Sequence, residues 1–435
     1  MSPPPRASEP VHSGIGHSPV SGGIFLTGGA IVQALVGFGA QLVLMRLLWP
    51  EAFGEFATVL ASASLAQVVL SLRLNVLIIR LSDAELTEAR RERYRAALVW
   101  ETLAAATVTL ILLAVAGHLS AYAAILVASL TLAQWTNQAV AFFERTMAYR
   151  RIVAVETGSQ IVGHAAAVIL VLSGTGAAAL YLRELIVSVL RLGAFARVGA
   201  LSRPVIRLPR WVEVRTLAAE VRGLWLDGIL DSGFARIIIL TAAGIGGAHG
   251  AGIFAQSQRL AIVPHQILSP VASRLSANLF SRTRDSAARR RLLTGMTLIM
   301  LALLLPAAGL AAAFADPLVP LVLGEHWRPA ADIVIAMTGV IVFFPAFELL
   351  RAYCVSQRRM RLVLAGRTLQ YAVFLVAAAA ATMQAPDPIL VLGGGLSAAY
   401  FGAFILLAGG LALPRLTSGP SAAEPPPDVP EQEPR

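Results

Sequence analysis

About twelve stretches of some 20 or more predominantly apolar residues follow one another along this chain, and each is long enough to cross a hydrocarbon layer of about 30 Å as an α-helix. They fall at 21–48, 53–79, 96–116, 122–143, 152–172, 177–198, 217–243, 251–279, 292–315, 331–354, 362–382 and 388–413. Lipid offers no hydrogen-bond partners, so every backbone N–H and C=O in such a segment has to be paired within it. Composition agrees: 57% of the 435 residues are hydrophobic and 14% charged, more apolar surface than a soluble domain can hide. The expected fold is an all-α integral membrane protein of about 12 transmembrane helices in two six-helix lobes around a central cavity. Residues 21–213 would form the N-terminal lobe and 214–416 the C-terminal lobe. Residues 1–20 and 417–435, rich in Pro and Ser, would form disordered cytoplasmic tails. The first 20 residues lack the basic region followed directly by an apolar core that marks a signal peptide.

The loops give an orientation. Those after the second, fourth, sixth, eighth and tenth stretches carry "RERYR", "ERTMAYRR", "RPVIRLPRWVEVR", "SRTRDSAARRR" and "QRRMR", whereas the alternate loops hold almost no Arg beyond Arg328. Basic loops stay cytoplasmic, so both termini of this multi-pass membrane protein are expected there. All 35 basic residues are Arg. Without Lys there is no P-loop and no Schiff-base chemistry. Cys354, the single cysteine, can form no internal disulfide, and no metal-ligand spacing occurs, so no cofactor is expected.

A weak repeat joins "AFGEFATVLASASLAQ" to "GAGIFAQSQRLAIVPHQ" through a shared Gly-x-Phe-Ala, at Gly54–Ala57 and Gly252–Ala255. Six helices separate the two copies. Two halves of six helices have the same orientation, the parallel-repeat arrangement of many transporters.

Charges inside the spans then need explaining, because each costs roughly 2.5–3.5 kcal/mol at the bilayer centre on insertion scales. Arg73 lies seven residues before Arg80. It either snorkels or forms a structural ion pair, or it faces a watery lumen and binds an anion, for which the planar guanidinium suits phosphate. Arg222, Asp227, Asp231 and Arg236 share one span, with Asp227 and Asp231 at i, i+4 spacing. Arg259 and Arg274 lie on the next span, and Arg183, Glu184 and Arg191 on an earlier one. Glu348 and Arg351 are either a self-contained i, i+3 pair or part of a coupling site. Two carboxylates one turn apart disfavour joint ionisation, so Asp227, Asp231 and Glu348 are candidates for ion coupling. His164 and His265 could relay protons or simply pack.

Four motifs carry a family resemblance. "RLLWPEAFGEFA", "SLRLNVLIIRLSDAE", "GIFAQSQRLAIVPHQIL" and "LGEHWRPAADIV" occur in the order found in bacterial polysaccharide exporters, and the chain resembles that family over about 21–413. Asn75 stands where many relatives have an acid, and Trp49 replaces the usual Gly before Pro50. Such proteins belong to the superfamily of multidrug, oligosaccharidyl-lipid and polysaccharide exporters. The resemblance implies that the protein is no enzyme but a flippase, moving a polyprenyl-diphosphate-linked oligosaccharide for exopolysaccharide, capsule or O-antigen synthesis by alternating access. Arg73 and Arg259 carry over by motif. Arg236, Arg222 and Arg274 join them as candidate substrate-binding residues in a cationic lumen. Expected partners are the lipid-linked oligosaccharide, membrane lipids, and polysaccharide polymerase and export machinery, with no nucleic acid. The alternatives are a cation-coupled multidrug exporter of the same fold, and a polytopic glycan-assembly enzyme or scaffold. For an enzyme, the longest outward loop offers only Asp316, Glu325 and His326.

Overall fold

A computed structural model describes residues 19–145, 149–201, 203–208, 210–266, 285–357, 359–384 and 386–412. The expected disordered tails lie almost wholly outside these. Among the described residues there is no strand, and the α-helices are α1 (Pro19–Leu47), α2 (Pro50–Leu70), α3 (Leu74–Arg80), α4 (Glu88–Val115), α5 (Ala121–Glu144), α6 (Tyr149–Leu172), α7 (Ala178–Arg197), α8 (Trp211–Ala261), α9 (Ser286–Leu323), α10 (Pro329–Ala336), α11 (Thr338–Ser356), α12 (Met360–Gln384) and α13 (Pro388–Ala412). Eight helices among the described residues are long and apolar enough to cross a membrane.

α5 and α7 are absent from those eight because they are more polar, and their polar groups are satisfied inside the bundle. Gln134 and Gln138 of α5 donate to Glu101 of α4, and Arg191 of α7 donates to Asn137 of α5 at 2.7 Å. Large apolar side chains such as Ile299, Leu321 and Val376 point outward instead, as they should where the surroundings are lipid.

Two of the sequence-derived spans differ from the observed helices. The run 53–79 breaks at Ser71–Arg73 into α2 and α3, and the run 331–354 breaks at Met337 into α10 and α11. The turn expected between the seventh and eighth spans, at 244–250, falls at Gly247, inside the continuous helical assignment of α8, where φ is 60° and ψ −159°. A straight helix would separate Phe234 from His265 by about 46 Å at 1.5 Å per residue. Ring contacts of 6.0, 4.8 and 4.1 Å nevertheless run from Phe234 through Tyr400 and Phe344 to His265. The chain therefore doubles back at Gly247, a conformation that glycine adopts without the Cβ penalty.

Both limbs of α8 pack along α2, and the repeated glycines form the crossing. A Cβ on Gly54 would lie 1.7 Å from the Ala248 carbonyl oxygen, and one on Gly252 would lie 1.9 Å from that of Pro50. The two contacts are reciprocal, each glycine against the residue four before the other, as a two-fold relation between the repeats requires. Phe56 and Phe254, two positions further on, are both buried. Nearby, the Trp327 indole donates to the Met45 carbonyl at 2.7 Å and packs edge-on against Phe53, 5.6 Å between centroids. The Gly-Glu-His-Trp segment thus clamps the α1–α2 corner.

The loops at 81–87 and 198–210 define one end of the bundle, rich in arginine; the turns at 116–120, 173–177 and 324–328 define the other. Gly54→Ala and Gly252→Ala should each lower the melting temperature of the purified protein by several degrees, since overpacking costs about 1–3 kcal/mol. The double variant should fall short of the sum because both touch one crossing. Gly409→Ala, with nothing within 4 Å of its new Cβ, should leave melting unchanged.

Candidate functional site: an arginine seam between the two halves

Arg73 occupies the break between α2 and α3 with φ 53° and ψ 32°, the sole non-glycine residue at positive φ among those described. The left-handed conformation costs roughly 1–2 kcal/mol, so the surroundings must hold it. They do so from three sides. The Trp225 indole of α8 donates to the Val69 carbonyl at 2.8 Å, satisfying part of the exposed end of α2. Glu101 of α4, only 7% exposed, lies beside Ser71 and the backbone of Leu72. The Arg73 guanidinium itself crosses to the C-terminal half, where Nη2 donates to Ser232 Oγ at 2.9 Å. It lies flat over Gly228, where a Cβ would come within 2.4 Å of Nε.

Gly228, Ser232 and Arg236 follow at four-residue spacing and so share one face of α8. Arg236 has no ion-pair or hydrogen-bond partner among the described residues, and its Nε is buried without one. Arg259, on the returning limb, is exposed to the interior space and likewise has no such partner. Its nearest charges are Arg183 and Glu184 of α7. Beside it the two halves are tied by a buried hydrogen bond, Gln41 Nε2 donating to Gln256 Oε1 at 3.1 Å.

The other interior arginines among the described residues are paired. Arg183 meets Glu184 at 2.6 Å, with Gln160 and His164 also in reach, and Arg191 meets Glu156 at 2.5 Å. Arg367, 4% exposed, bridges Glu348 at 2.9 Å and Asp231, and its guanidinium stacks 4.9 Å over Phe347. Arg351 closes the group on Glu348 at 2.7 Å. Two carboxylates and two guanidiniums thus form a charge-balanced cluster joining α8, α11 and α12. One side of Asp231 stays open, 45% exposed.

The candidate residues therefore separate by compensation. Arg73, Arg236 and Arg259 have no ion-paired carboxylate among the described residues, whereas the candidate coupling acids Asp231 and Glu348 converge on one arginine. The side chains of Arg222 and Asp227, on α8, and the whole of Arg274 lie outside the described residues. His164 sits in the Arg183 group and His265 against Phe344. Arg367 and Glu101 are functional-site candidates that the sequence reading passed over. Each is the lone charge in its predicted span, a signal that could have found them. Glu325 and His326 are engaged structurally, with Arg328 and the Met45 carbonyl. Among the described residues no group of His, Cys, Asp and Glu is placed to hold a metal.

The chain is thus a helical membrane bundle whose halves meet at a backbone-tight crossing and whose interior carries arginines without an ion-paired carboxylate among the described residues. The chain belongs to the polysaccharide biosynthesis protein family, which matches it over residues 43–332. No curated protein sequence matches it. The fold is similar to that of the lipid II flippase MurJ in an inward closed conformation, with a TM-score of 0.69 and 11% identity over 91% of this chain and 88% of that one. It is also similar to the inward-facing conformation of a multidrug resistance MATE family transporter of the MOP superfamily, with a TM-score of 0.62 and 14% identity over 90% and 98%. An outward-facing MATE structure aligns with a TM-score of 0.57 and 15% identity over 91% and 96%.

Gly228→Ala tests the Arg73 seat from the opposite helix. The new Cβ displaces only the far end of a flexible side chain, so melting should change little, while polysaccharide production should fall as far as in Arg73→Ala. Combining the two substitutions should add nothing further. Normal polysaccharide output from Gly228→Ala cells would show that the seat is unimportant.

Proposed function

We propose that this protein is a flippase that moves a polyprenyl-diphosphate-linked oligosaccharide across the bacterial cytoplasmic membrane by alternating access. The observation that carries this reading is that Arg73, Arg236 and Arg259 have no ion-paired carboxylate among the described residues. An uncompensated guanidinium in a membrane bundle is costly unless an anion or water meets it. A diphosphate supplies two charged groups with oxygens spaced for forked N–H donors, the strongest class of hydrogen bond available to arginine. The polyprenyl chain would remain in lipid and the sugars in the space between the halves.

The arginine-rich end is assigned to the cytoplasm by the positive-inside rule, which places both termini there. The Asp231–Arg367–Glu348 cluster supplies the coupling site in this reading. Protonating or otherwise neutralising the open carboxylate of Asp231 would free Arg367 for Glu348 and shift α8 against α12. Polymerase and export machinery would then receive the translocated glycan. A multidrug exporter of the same fold is a weaker reading, because a binding region for cationic drugs calls for unpaired acids where this chain has unpaired arginines.

Deleting the gene should cause undecaprenyl-diphosphate oligosaccharides to accumulate on the cytoplasmic side, measured by lipid extraction and mass spectrometry. The wild-type gene should clear them; Arg73→Ala, Arg236→Ala and Arg259→Ala should each leave most of the pool in place. No accumulation, or full clearance by all three variants, would overturn the reading.

A further inference from the structure

At the arginine-poor end a second space is lined by different chemistry. A cavity of about 850 Å³ opens between the first turns of α2, the α4–α5 turn, the start of α7 and the part of α8 leading into Gly247. Its volume is that of a site for a drug-sized ligand. No arginine lines it. Its titratable groups are Glu55, His118, Tyr122 and Tyr181, with Ser62 among the smaller polar residues.

Two of these groups lack partners among the described residues. Glu55 is exposed and carries no ion pair or hydrogen bond there. Tyr181 is only 6% exposed, but its hydroxyl opens into the cavity and meets no hydrogen-bond partner among the described residues. A phenol held by its ring with its hydroxyl facing a cavity is placed to bond a group that enters. The Tyr181 ring is fixed edge-on against Phe56 at 5.1 Å and stacked with Tyr122 at 5.6 Å and 29° between planes. Tyr122, 48% exposed, therefore presents a flat face on a rigid backing.

We infer that this cavity is a carbohydrate subsite, in which one sugar ring lies on the face of Tyr122 while its hydroxyls donate to Glu55 and bond the Tyr181 hydroxyl. The inference rests on the glycan cargo proposed above and adds where the sugar portion is held at the arginine-poor end. A phosphate is disfavoured, because the cavity holds a carboxylate and no arginine to offset it. The apolar face of a pyranose suits an aromatic ring, and a carboxylate accepts two sugar hydroxyls at once. Glu55 lies 18 residues from Arg73 along α2 and α3, about 27 Å at helical rise, so the subsite is distinct from the arginine seam.

The test uses the full-length purified protein and, as probe, the oligosaccharide released by mild acid from the lipid-linked pool that accumulates in the deletion strain. Saturation-transfer NMR and calorimetry should show that it binds wild type. Tyr122→Ala and Glu55→Gln should each weaken it at least tenfold with unchanged melting temperature, and Tyr122→Phe should retain it. Accumulation without glycan binding, or binding unaffected in both variants, would overturn the subsite and leave the flippase reading standing. Tetraphenylphosphonium binding that needs Glu55 and Tyr122 while the glycan does not bind would reassign the cavity to organic cations. No accumulation at all would remove the cargo and the subsite together.

Discussion

A charge within a membrane-spanning bundle has to meet an opposite charge, water or a ligand, and the way this chain meets that demand organises its interior. Arg183, Arg191, Arg351 and Arg367 are answered by Glu184, Glu156, Glu348 and Asp231. The Arg191–Glu156 and Arg367–Asp231 pairs tie neighbouring helices together, each of the other two lies within one helix, and removing a partner from a buried pair costs about 3–5 kcal/mol. Arg73, Arg236 and Arg259 have no such answer among the described residues. They lie along α2–α3 and the two limbs of α8, the helices that join the halves, so the uncompensated charge falls where a transported anion would pass.

The same helices contain the breaks in regular structure. α2 stops at Ser71, α8 doubles back at Gly247, and α10 gives way to α11 at Met337. Freed backbone groups at the first break are met by Trp225 and sit beside Glu101, as irregular backbone in a membrane requires. The Gly54–Gly252 crossing sits at the arginine-poor end of these helices and brings backbone against backbone with no side chain between them. A fixed crossing at one end of α2 and a break in regular structure at its other end is a geometry in which the halves can rock about the crossing.

Much of this was legible in the sequence, and the failures have identifiable causes. Hydropathy finds the spans because each must be apolar over about 20 residues, and the Gly-x-Phe-Ala repeat marks the crossing because only glycine permits that approach. The breaks at Ser71–Arg73 and Met337 are invisible to hydropathy, since the runs through them stay apolar and the left-handed Arg73 is held by Ser232, 159 residues away. The reversal at Gly247 falls within the 244–250 connection that hydropathy leaves between the seventh and eighth spans, although "GIGGAHGAGIF" offers several glycines and spacing alone does not choose among them. Of the site, the sequence separated arginines inside spans from those in loops. It could not separate paired from unpaired ones, since pairing joins residues as distant as Asp231 and Arg367. Asp227 and Asp231 drew attention through their local spacing, whereas Arg367, which draws Asp231 and Glu348 together, has no local acidic neighbour to signal it.

The central claim is that Arg73, Arg236 and Arg259 together receive a diphosphate. It is tested most directly by titrating purified protein with a fluorescent polyprenyl diphosphate, comparing wild type with the three single alanine variants and with the surface variant Arg328→Ala. The account predicts that each interior variant weakens binding at least tenfold, about 1.4 kcal/mol, that Arg328→Ala does not, and that an uncharged polyprenol of the same length binds poorly. Equal affinity in wild type and all three variants, or equal affinity for the diphosphate and the polyprenol, would contradict it.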